Sequence, residues 1–113
     1  MNHDDVRRQA LALPEATEED HHGRASYRVR SKIFATVPDD EHLNVMLDAD
    51  AASAAIAARP AACAELWWGK RLTGVRLSLA EADPELVDDL LTEAWRQRAP
   101  KTLARQHFPA SDG

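Results

Sequence analysis

A single cysteine, Cys63, is the only thiol in the chain. No internal disulfide and no cysteine-based metal cluster can therefore be built. Glycine is scarce, with four in 113 residues, and Gly69 and Gly74 stand isolated, so there is no glycine-rich loop to cradle a phosphate. Ser26, Ser31, Ser53 and Ser78 lack the flanking glycines of a nucleophile elbow. Cys63 sits in the run Ala61-Ala62-Cys63-Ala64 without a local base and reads as a small core residue. With no set of nucleophile, base and orienter to assemble, the chain is expected not to be an enzyme and to need no cofactor. No apolar run approaches the roughly 20 residues that span a bilayer. The start, Met1-Asn-His-Asp-Asp-Val6, lacks a signal-peptide pattern. The expectation is a cytoplasmic protein with no membrane partner. Its formal net charge of −5 weighs against strong non-specific attraction to polyanions.

What is present reads as one α+β domain with an antiparallel sheet and helices on one face. Asn2–Leu13 has helical spacing at Val6, Ala10 and Leu13, a cap at Asn2 or Asp4, and Pro14 as its stop. Thr17–His22 is short and polar, an edge strand. Gly23 precedes a strand over Arg24–Arg30, and Ser31-Lys32 turns the chain into Ile33–Val37. A third strand covers His42–Leu47. Asp48 or Asp50 caps an alanine-rich helix over Ala51–Ala58, closed by Arg59-Pro60. Ala61–Leu66 reads as loop, and the last strand starts near Thr73 and ends at Leu79. Asp83-Pro84 opens a helix that runs to Arg98 with a broad apolar stripe from Leu86 to Trp95. Its end carries Arg96, Arg98 and Lys101, the sign that suits a helix C-terminus. The domain is placed at 1–103, with Ala104–Gly113 as a frayed tail.

Two strands alternate in a way that orders their cations. Ala25, Tyr27 and Val29 face a core, so Arg24, Ser26, Arg28 and Arg30 face outward. Val75, Leu77 and Leu79 face inward, so Gly74, Arg76 and Ser78 face out. Each segment thus presents a row of cations on one side of a sheet.

The ordered pieces resemble the MmcQ/YjbR family. They are Leu13-Pro14-Glu15, His21-His22-Gly23, Tyr27-Arg28-Val29-Arg30-Ser31-Lys32-Ile33-Phe34-Ala35-Thr36, Trp68-Gly69, Thr73-Gly74-Val75-Arg76-Leu77, Ala94-Trp95 and Ala99-Pro100-Lys101. The resemblance implies a compact domain with a curved antiparallel sheet, a CyaY-like or double-wing arrangement. It also implies a DNA-binding label that rests on the wing-like shape, and it brings no catalytic motif.

Arg28, Arg30 and Lys32, extended by Lys70, Arg71 and Arg76, are the candidate phosphate contacts, and DNA bound without sequence readout is the candidate partner. The plainer reading is that these cations keep an open face soluble and pair with carboxylates across strands. Trp67 and Trp68 are neighbours, and packing of both across a loop is the structural expectation. An exposed ring beside Lys70-Arg71 would instead stack on a base or anchor a protein or small-ligand partner. His21-His22 suggests a metal site only weakly, because adjacent strand residues face opposite ways, and no metal is expected.

Overall fold

Ten elements follow one another along residues 1–108, the part of the chain that the computed structural model describes. They are α1 (His3–Leu11), β1 (Ala16–His21), β2 (Arg24–Val29), β3 (Lys32–Thr36), β4 (His42–Met46), α2 (Ala49–Ala58), β5 (Cys63–Trp68), β6 (Arg71–Ser78), α3 (Pro84–Arg98) and α4 (Lys101–His107). Short acceptor side chains start the first three helices. The Asn2 side chain accepts from the Asp5 amide while the Asp5 carboxylate accepts from the Asn2 amide, a reciprocal capping box. Asp48 accepts from the Ala51 amide and Asp83 from the Leu86 amide, each at 2.8 Å. Pro84 follows Asp83 at the first helical position, where its missing N–H would have had no partner anyway.

The six strands form one antiparallel sheet in the order β1-β2-β3-β4-β6-β5. Its inner face, with Tyr27, Val29, Leu43, Val45, Val75 and Leu77, is buried. α3 packs on β2, β3, β4 and α1, and α2 packs on β5 and β6, so the helices cover this face and leave the other open. None of the described helices is long and apolar enough to cross a membrane.

Two hairpins turn on left-handed backbone. His22-Gly23 (φ 54° and 82°) joins β1 to β2, and Arg30-Ser31 (φ 49° and 70°) joins β2 to β3. Positive φ at both central residues defines a type I′ turn, whose twist matches that of the flanking strands. The turn expected at Ser31-Lys32 therefore lies one residue earlier, and Lys32 opens β3 opposite Val29. Arg30 leaves the outward row of the strand for the turn itself.

Three other expectations are corrected. Ala61–Leu66 is not a loop: from Cys63 it is β5, paired with β6 along its length. Alanine has little strand preference, so the pairing is imposed by the neighbouring strand. Residues 104–107, expected as frayed tail, belong to α4, whose Leu103 is buried and after which Phe108 meets the Trp95 ring at 5.3 Å. The rest of the expected tail, 109–113, lies outside the described residues. Finally, Trp67 and Trp68 do not pack away: they are 51% and 79% exposed.

Two register shifts reshape the open face. Tyr27 pairs with Ala35 but Arg28 pairs with Ile33, so Phe34 is an extra residue in β3. Phe34 and Ala35 both bury, leaving Ile33 and Thr36 on the open side. A second shift lies between Leu66 and Trp67, where the β5 partners jump from Gly74 to Leu72. Gly74 makes the β4–β6 contact possible, because a Cβ there would stand 2.0 Å from the Val45 carbonyl oxygen. Gly74→Ala is therefore expected to lower stability by about 1–3 kcal/mol. The check is the urea midpoint, which should fall with the slope of the transition unchanged.

Candidate functional site

A groove of about 700 Å³ crosses the open face of the sheet. Ile33, Met46 and Leu66 give it an apolar lining, Trp67 and Trp68 contribute their rings, and Arg28, Lys32 and Arg98 supply charge. Among the described residues, none of these three cations has a carboxylate within 4.0 Å. Arg28 is held in another way. Its Nε donates to the Ser26 hydroxyl at 3.1 Å, and that hydroxyl donates to the Glu19 carbonyl at 2.9 Å. The relay is neutral, so it orients the guanidinium without cancelling its charge.

The remaining candidate cations divide. Arg30 stands outside the groove, where its Nε and Nη2 donate to the two carboxylate oxygens of Glu15 at 2.5 and 3.0 Å. That fork fits the planar guanidinium and neutralises the tip of the β2–β3 hairpin. Arg76 lies opposite Asn44 and donates to its side-chain oxygen at 3.5 Å, without lining the groove. Arg71, exposed at the start of β6, borders a neighbouring cavity of about 640 Å³ together with Asp48 and Arg98. Lys70 sits exposed in the turn between β5 and β6. Arg28 and Lys32 are thus brought together with both tryptophans, while Arg30 and Arg76 are not.

Arg98 carries no site signal in the sequence, because its charge is accounted for by the helix C-terminus. Only the packing of α3 under the sheet brings it to both cavities. Met46 has a visible signal, since at the end of β4 it stands between the buried Val45 and Leu47.

The histidines are engaged separately. His42 Nδ1 lies 3.0 Å from the Asp39 carboxylate. That carboxyl is held below its ordinary range first by the Glu41 amide and then by His42. His21 borders the groove, and His22 occupies the turn with its ring edge-on to His21 at 4.5 Å. Among the described residues no three histidine, cysteine or carboxylate side chains converge as a metal site would require.

The YjbR family model matches residues 11–97. The chain belongs to the YjbR family. A solved structure, that of Deinococcus radiodurans protein DR2400 with its DUF419 family-model domain, is similar with a TM-score of 0.72. The match covers 97% of this chain and 91% of that one at 18% identity, a likeness of fold. No curated protein matches the chain. In this YjbR protein, Arg28, Lys32, Trp67 and Trp68 fall inside the matched span, and Arg98 lies just beyond it.

Two expectations follow from the site's electrostatics. The hydrogen bond from Arg30, ahead of its charge, holds the Glu15 carboxyl below its ordinary value of 4.5. A lowered folded-state value means that the pair stabilises the fold above about pH 4.5 and stops doing so as pH falls through the lowered value. Glu15→Gln should therefore flatten the acid limb of stability, measured by urea unfolding between neutral pH and acid, while leaving the part due to Asp39 and Asp83. Cys63, 3% exposed, has its thiol pushed above the ordinary 9.0 by burial. It should react with a thiol reagent only at the rate at which the fold opens, and rapidly in denaturant; fast native-state labelling would contradict its placement.

Proposed function

We propose that this YjbR protein is a non-enzymatic nucleic-acid-binding domain whose contact surface is the open face of the sheet. The observation that carries the reading is the convergence of Arg28, Lys32 and Arg98, without carboxylate partners among the described residues, on the groove that holds two exposed tryptophans. Phosphate contacts by these groups supply affinity and position without reading sequence. The alternative, a protein-interaction or small-ligand module, draws on the same exposed Trp67 and Trp68 and on the apolar lining from Ile33 and Met46.

The two readings differ in their response to salt. Three phosphate contacts give a slope of about −2.1 for a single strand and about −2.7 for a duplex in log affinity against log salt, so a fourfold rise in salt should weaken binding roughly 20- to 40-fold. Arg28→Glu with Lys32→Glu should abolish binding of a labelled DNA. Affinity that ignores both salt and the double charge reversal would leave the interaction-module reading in its place.

A further inference from the structure

Resting on the nucleic-acid reading, the geometry points to a narrower ligand: we infer that the groove takes a single strand, with an unstacked base on Trp68, and does not take a duplex. Three observations on separate parts of the molecule lead there.

The first concerns the hairpin tip. A two-stranded ribbon enters the major groove of a duplex tip or face first, and its cations must then meet phosphates. At the tip of the β2–β3 hairpin, Arg30 is already forked onto Glu15. The cation best placed for insertion is neutralised.

The second concerns the flank. β1 pairs along the outer side of β2, and exposed Glu19, opposite Ser26, stands on the same open side as Arg28, whereas Glu18 and Asp20, opposite Tyr27 and Ala25, are directed to the other face. A rigid duplex laid across β2 would press its phosphates toward the Glu19 carboxylate. A flexible strand can follow the β3-to-β5 side of the sheet and avoid it.

The third concerns the rings. Trp68, at 79% exposure, is the most exposed large apolar side chain described, and Trp67 follows at 51%. In a duplex the bases are stacked on one another and offer no free face. In a single strand each base has a π-face available, and aromatic stacking combined with a cationic track is the general solution for binding such strands. Arg28 and Lys32 supply the track beside the Trp68 ring in the same groove.

The test is fluorescence anisotropy with the full chain, using an end-labelled oligothymidylate of about twelve nucleotides and a duplex of the same length at about 50 mM salt. The single strand should bind at least about tenfold more tightly than the duplex. Trp68→Ala should weaken single-strand binding roughly tenfold and leave duplex binding unchanged, while Trp68→Phe retains most of the affinity. Because Trp68 is exposed, the variants should melt with the wild type, which confirms that the fold is intact. Equal affinity for both probes, with Trp68→Ala silent and the Arg28→Glu, Lys32→Glu variant inactive, overturns the single-strand inference and leaves the nucleic-acid reading standing. Failure of both probes to bind overturns the two together.

Discussion

The hydrogen bond from the Trp95 indole to the Pro14 carbonyl, at 2.9 Å, ties the two ends of the domain. Trp95 is fully buried at the end of α3, and an indole N–H left without an acceptor there would carry a desolvation penalty. Pro14 supplies the acceptor because of how the chain turns. Leu13-Pro14-Glu15-Ala16 closes with the Ala16 amide donating to the Leu13 carbonyl, with proline second and Glu15 at φ 56° third. This is the pattern of a type II turn, whose central carbonyl stands clear of the turn. The same turn aims the Glu15 carboxylate at Arg30. One packed tryptophan thereby anchors α3 to the α1–β1 junction and, through Glu15, the first strands to the tip of the β2–β3 hairpin.

Local backbone irregularities decide what the open face displays. The extra residue at Phe34 sends two successive side chains into the core and hands Ile33 to the groove. The shift after Leu66 lies where β5, the edge strand, leaves two neighbouring tryptophan rings uncovered. Gly74 permits β4 and β6 to approach so closely that Met46 and Leu66 both reach the same concavity. Removing any of these features would leave the sheet intact in outline and change the chemistry of its surface.

The charge pattern is uneven in a way the net value conceals. Carboxylates pair with Arg7, Arg8, Arg24, Arg30, Arg59 and Arg96 around the rim and along the helices. Such exposed pairs contribute little to stability. Their consequence is distribution: among the cations they leave without a carboxylate partner in the described residues, Arg28, Lys32 and Arg98 are the three that meet beside the tryptophans, while Lys70, Arg71, Arg76, Lys101 and Arg105 lie outside that groove. A moderately acidic protein can therefore present a cationic groove without attracting polyanions over its whole surface.

Much of this architecture is legible in the residue order alone. Caps at Asn2, Asp48 and Asp83, the stripe from Leu86 to Trp95, the alternation in Tyr27–Val29 and Val75–Leu79, and the ordered family pieces all act over a few residues, and they sufficed for the first three helices, most strands and the family. β5 escaped because Cys63-Ala64 has no strand preference of its own, and α4 because its place depends on Leu103 and Phe108 meeting the core. The candidate site was half visible: Arg28, Lys32 and the tryptophan pair could be named from pattern, whereas the loss of Arg30 to Glu15 and the arrival of Arg98 could not. Sequence determines periodicity and capping because those interactions are made within a turn or between adjacent residues. Which cations stay uncompensated was decided by tertiary structure, because a charge is cancelled by whatever the fold brings within a few ångströms, however distant in the chain.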